Sequence, residues 1–131
     1  MLNPKTLPES GPQKLLDMKL ARIASEVAVE RHVGRLEDWY GPSGRMLVQK
    51  GKDLRRIPSV IGTGGAIVFA RDPKMVLEGV LSDKKAPNLL KPESPKFYLD
   101  NRYILYAIGL LGNSAPEKAL RIGKQYLQGL S

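Results

Sequence analysis

The chain of 131 residues has no cysteine, one histidine (His32), and aromatic residues at only 6% of positions. Without cysteine there is no thiolate nucleophile, no zinc–thiolate site and no disulfide staple. One histidine, with no strained nucleophile turn, leaves no Ser–His–Asp arrangement to argue. The carboxylates are scattered, so paired acid–base chemistry has no support. Glu26, Glu30 and His32 are badly spaced for a metal site on one helix face, and a structural hydrogen bond near a helix end is the better reading of His32. No stretch approaches the roughly 20 apolar residues needed to cross a bilayer. The richest run, Tyr103–Leu111, is too short, and the N-terminal residues lack the apolar region of a signal peptide. These absences fit a soluble, cytoplasmic chain. The net charge is +8, from 21 basic against 13 acidic residues. Only Lys50–Arg56 forms a basic cluster, and the scarcity of aromatics removes a stacking platform for single strands. A solvated basic surface is favoured over nucleic-acid binding.

What is present reads as one α/β domain over 10–131, preceded by an irregular arm at 1–9 with Pro4 and Pro8. Ser10 and Gln13 have capping-box spacing. Leu16, Leu20, Ile23 and Val27 then recur at steps of four and three, predicting an amphipathic helix that ends near Gly34. Arg35–Tyr40 and Arg45–Lys50, joined through Pro42 and Gly44, predict a β-hairpin. Trp39 and Tyr40 are either its core contribution or an exposed partner patch. Arg56–Ile61 reads as a strand. Asp72-Pro73 caps a helix to about Leu81, and the proline-rich, charged segment 82–96 reads as a loop. Phe97–Leu99 suits a short strand. Asp100 can cap a buried helix over Arg102–Leu111, and Ser114 with Glu117 suggests a capping box for a last helix to about Gln128. The predicted order is α-β-β-β-α-α-α.

The stretch carrying most information is Gly62-Thr-Gly-Gly65, followed by Ala66, at the end of the predicted strand. Glycines there let a ligand approach the backbone closely. A helix starting at Gly65 or Ala66 would offer free N–H groups to a phosphate. The competing reading is a tight strand-to-helix turn with no ligand. A Rossmann fingerprint fails because the sixth position is Ile67, and no Walker A loop is present. Lys52 and Asp53 sit in a loop that by default is solvated.

Four segments in order, Ala28-Val-Glu-Arg-His-Val-Gly34, Gly51-Lys-Asp-Leu54, Val60-Ile-Gly-Thr-Gly-Gly65 and Leu99–Leu111, together resemble the C-terminal portion of the MutL/GlmL-type proteins. These are associated with coenzyme-B12-dependent glutamate mutase and related aminomutases, and are unrelated to the mismatch-repair protein of the same name. The resemblance covers the chain from about position 8 onward. It implies a ribonuclease-H-like lobe of the actin and chaperone ATPase superfamily, with Gly62, Thr63, Gly64, Gly65 and Ala66 as the adenosine side of an ATP or ADP site. It also implies that Ala107 and Gly109 lie on the small-residue helix closing the cleft. Chaperone members have an arginine that stacks on adenine where this chain has Val68. The acidic phosphate-binding loops of the superfamily lie N-terminal to the matched region, so a partial site without hydrolysis is expected, with magnesium bound only alongside the missing N-terminal lobe.

The implied partners are that lobe, a B12-dependent mutase subunit and, through exposed apolar surface, a second copy of the chain. The role implied is an accessory or reactivating ATPase. The alternative is a non-enzymatic interaction module that holds an acidic protein partner through its basic surface.

Overall fold

The computed structural model describes residues 11–130. Helix α1 (Gly11–His32) leads into strands β1 (Arg35–Gly41) and β2 (Gly44–Lys50). Strand β3 (Ser59–Gly62), helices α2 (Gly65–Val68) and α3 (Pro73–Leu77), and a 3₁₀ turn at Glu78–Val80 follow. Strand β4 (Lys96–Leu99), helices α4 (Leu105–Gly112) and α5 (Pro116–Tyr126) and strand β5 (Gln128–Leu130) complete the order. The fold is mixed α/β with two small sheets. One is the antiparallel β1–β2 hairpin, and the other has the order β3-β4-β5, with β3 parallel and β5 antiparallel to β4.

The hairpin forms where the turn residues require it. Pro42 and Ser43 make the loop, and Gly44 takes φ 102°, a value an L side chain rarely adopts. Trp39 folds over Gly41, and Asp38 accepts both Nε and Nη2 of Arg45 at 2.7 and 3.1 Å. Trp39 and Tyr40 are both exposed, which settles them as surface rather than core.

The parallel pair requires a crossover, supplied by α2 and α3. Asp72 accepts the Met75 N–H at 3.0 Å and Pro73 occupies the first turn, as the Asp-Pro pair predicts. The core lies between this crossover and one face of the three-stranded sheet. Leu77, Val80 and Phe97 form it, with Val29 of α1, Val60, Ile67, Leu81 and Leu130 against them. Residues 82–95 contain no helix or strand, as expected, yet they act as a strap. Leu90 N–H donates to Gly34 O, Leu54 N–H donates to Leu90 O, and Leu36 N–H donates to Asn88 O. Beneath the strap, Lys91 is buried and reaches Glu30 at 3.4 Å.

Several expectations are corrected. The order is not α-β-β-β-α-α-α, because β4 interrupts the helices and β5 follows them. Helix α4 has no buried residue, although its composition predicts burial; it packs mainly against α5, leaving Tyr106 and Leu110 bare. Ser114 does not cap α5: its hydroxyl bonds to the Leu111 carbonyl, and α5 begins at Pro116 without a side-chain cap. The apolar stripe of α1 faces solvent, while Met18, Arg22, Ser25 and Val29 face the body. The arm at 1–9 and Ser10 of the first capping box lie outside the described residues.

Leu77→Ala removes the centre of the small core and should cost about 2–5 kcal/mol. Leu110→Ser on the bare face of α4 should stay within about 0.5 kcal/mol. Urea denaturation of the two variants checks the contrast.

Candidate nucleotide half-site

Parallel pairing places Gly62 beside Leu99, so the chain leaves β3 and β4 at the same edge. Such adjacent carboxyl ends are where open α/β sheets take ligands. The residue after β4, Asp100, joins the two exits. Its N–H donates to Gly62 O at 2.8 Å, and its carboxylate accepts the N–H groups of Ile104 and Leu105 at 3.0 and 3.1 Å. The Thr63 hydroxyl approaches the same carboxylate at 3.4 Å. Asp100 is only 2% exposed, and no buried side-chain polar atom among the described residues lacks a partner. Asp100 is not the N-cap expected for a helix over Arg102–Leu111: α4 begins at Leu105 behind Ile104, which makes no side-chain cap bond. Asp100 instead accepts the N–H groups of these two residues from four and five positions upstream, while also meeting the Thr63 hydroxyl.

The glycines of the loop have different reasons to be there. A Cβ on Gly62 would fall 2.9 Å from Ile67 Cγ2 and about as close to both methyls of Leu77, so this buried glycine is demanded by packing. Gly64 has φ 91°, which strains any L residue. Gly65 is demanded by neither. Its φ is not in the left-handed range, and a Cβ there would meet only ordinary contacts, 3.7 Å from the Phe69 ring and 3.9 Å from the Tyr103 hydroxyl. Gly65 and Ala66 open α2, and their N–H groups are among those an i→i−4 ladder leaves over. Helix α2 has only four residues, so its dipole is far smaller than a long helix would supply.

Gly65 and Ala66 also line an open cleft of about 400 Å³ against the start of α1, where Lys14 and Arg71 supply positive charge, Asp17 a carboxylate and Phe69 an exposed ring. Tyr103 stands nearby at φ 54°, a left-handed conformation that costs a bulky residue about 1–3 kcal/mol. Sequence reading missed Lys14 and Tyr103, because α1 and the α4 approach join the loop only through tertiary packing, and Phe69 and Arg71, because they follow the loop without any motif.

Ala107 and Gly109 lie on the exposed surface of α4, and nothing comes within 4 Å of a Cβ built on Gly109. The α4–α5 approach uses Gly123 instead, opposite Ile108. Two of the segments that carry the resemblance touch directly. A Cβ on Gly34 would fall 2.6 Å from the Gly51 carbonyl carbon, and Gly34 N–H donates to Lys52 O at 2.7 Å. His32 Nε2 lies 3.3 Å from Lys52 Nζ beside this contact. Asp53 turns back onto Arg55, accepting its backbone N–H and its guanidinium.

With the Gly34–Gly51 contact, the strand exits and the glycine loop in place, the comparison with known sequences decides the family. A family model described as MutL protein matches residues 1–127. The chain belongs to the MutL family. A curated relative, Protein MutL of Clostridium tetanomorphum, is 42% identical over 123 residues, which cover 94% of this chain and 27% of that relative. The chain thus spans about a quarter of the length of the curated relative it matches. No solved structure gives a match. Among the described residues, no helix of this MutL chain is long and apolar enough to cross a membrane, and no group of three His, Cys, Asp or Glu side chains is placed to hold a metal.

Gly62→Ala should destabilise by about 1–3 kcal/mol through overpacking, whereas Gly65→Ala should be neutral or slightly stabilising. Asp100→Ala should cost about 3 kcal/mol, because it strands buried N–H groups; thermal unfolding of the three variants measures all of this. The side-chain and backbone hydrogen bonds from Arg55 hold the Asp53 carboxyl down at about 2. Its folded value lies below its unfolded one, so its contribution is complete above the ordinary carboxylate range and is lost as pH falls through about 2. A carboxyl-carbon NMR titration should show that midpoint, and Arg55→Gln should return it toward about 4.

Proposed function

We propose that this chain is the adenosine-side half of a nucleotide site, in an accessory or reactivating ATPase that serves a B12-dependent glutamate mutase or aminomutase. The observation that carries the reading is Gly65. Packing accounts for Gly62 and backbone geometry for Gly64, but the fold makes no demand for a missing side chain at Gly65. A ligand resting on the backbone at Gly65 and Ala66 supplies that demand, and the adjoining cleft carries two cations against one carboxylate. These residues fit the ribose and phosphate side of ATP or ADP. The link to a mutase rests on the resemblance to MutL/GlmL-type proteins.

In this reading the chain forms part of a ribonuclease-H-like lobe. Gly65 and Ala66 offer N–H groups to a phosphate oxygen, Lys14 and Arg71 lower the cost of its charge, and Asp100 holds the loop in place. The loop's one buried carboxylate, Asp100, is already committed to backbone N–H groups. Magnesium and the hydrolytic water are therefore assigned to acidic loops of the other lobe, which would close over the exposed face of α4 at Ala107 and Gly109. Bound nucleotide, by favouring one lobe arrangement, would alter affinity for the mutase.

A second reading has its own support. The hairpin presents Trp39, Tyr40, Met46, Leu47 and Val48 to solvent, which is the composition of a protein-binding surface. In that case the chain is an interaction module and nucleotide is irrelevant to it.

Titration of the isotope-labelled chain with ADP and magnesium separates the two. The nucleotide reading expects amide shifts centred on Gly65 and Ala66, abolished by Gly65→Leu with the fold retained. Saturating ADP that leaves those amides unmoved would overturn it for this chain and leave the interaction module.

A further inference from the structure

The stripe Leu16, Leu20, Ile23 and Val27 runs down the side of α1 that the body does not use. The face toward the body carries Met18, Arg22, Ser25 and Val29, and at 100° per residue the stripe lies roughly 160° away from it. Its members are 41%, 48%, 55% and 37% exposed. Spacing of four, three and four is the a/d pattern of a coiled-coil seam, a strip only one helix wide. The flank of the strip carries Lys19 and Glu26, seven residues apart and therefore at equivalent heptad positions.

We infer that this face of α1 pairs with α1 of a second copy of the chain, antiparallel, with Leu20 against Ile23 and Leu16 against Val27 of the other copy. In that register Lys19 of each copy lies beside Glu26 of the other, twice over by the twofold axis. A flank of one sign would call for a different partner, whereas a flank carrying both signs at this separation complements itself. The helix is also suited to self-approach in net charge. Its four basic and three acidic side chains nearly cancel, although the chain as a whole carries +8. Pairing covers on the order of 800 Å² in total, less than the roughly 1,200 Å² of a stable complex. The dimer is accordingly weak, with dissociation in the micromolar range and dependent on concentration.

Sedimentation equilibrium of the whole chain tests this, with circular dichroism confirming that each variant is folded. The expected result is a monomer–dimer equilibrium that Ile23→Glu shifts at least tenfold toward monomer. Lys19→Glu or Glu26→Lys alone should weaken it, and the two together should restore it. The absence of native cysteine allows a direct reading of orientation. Leu16→Cys mixed with Val27→Cys should give the mixed disulfide in preference to either symmetric one. A strict monomer up to several hundred micromolar overturns the proposal. So does a dimer indifferent to Ile23→Glu, or predominant symmetric disulfides, which indicate parallel pairing.

Discussion

One buried acidic residue, Asp100, ties together the exits of two strands. It lies where β4 stops; its backbone N–H donates to Gly62 O of β3, and its carboxylate accepts from the Thr63 hydroxyl in the glycine loop and from the N–H groups of Ile104 and Leu105 at the entrance to α4. An isolated charge this far from water would be prohibitively costly. It is tolerated because backbone N–H groups that need an acceptor surround it. Through Gly62 and Thr63 the same residue ties the start of the glycine loop to a strand end more than thirty residues away in sequence.

Much of the local structure was legible because it is written in local chemistry. The Asp72-Pro73 start and the Pro42–Gly44 turn each depend on neighbours within a few residues. What was not legible depends on contacts between distant segments. Strand β5 has almost no signature of its own: Gln128-Gly-Leu130 becomes a strand because β4 offers it an edge. The burial of α4 was misread because apolar composition says that a helix wants cover, not that cover is present. The α1 stripe was misread for the same reason in reverse. Met18 and Val29, spaced on the opposite face, bind the helix to the core, and the more regular pattern is left outside.

The candidate site was half legible. The glycine loop stood out in the sequence, but sequence could not divide its glycines into those the fold needs and the one it does not. That division comes from testing each position for space and for backbone angle. The cleft beside it, with Lys14, Phe69 and Arg71, is assembled by α1 packing against α2 and has no sequence motif. The Gly34–Gly51 contact brings together two of the segments that carry the family resemblance.

The central position of β4 also governs how the chain acquires its shape. The β1–β2 hairpin needs only a two-residue loop and closes in microseconds. Strand β4, by contrast, recruits one neighbour from more than thirty residues upstream and the other from about thirty residues downstream. Each recruitment pays loop-closure entropy before any pairing rewards it. Pairing in the three-stranded sheet therefore carries a larger loop-closure cost than the hairpin does, and the glycine loop takes its place at the edge of that sheet.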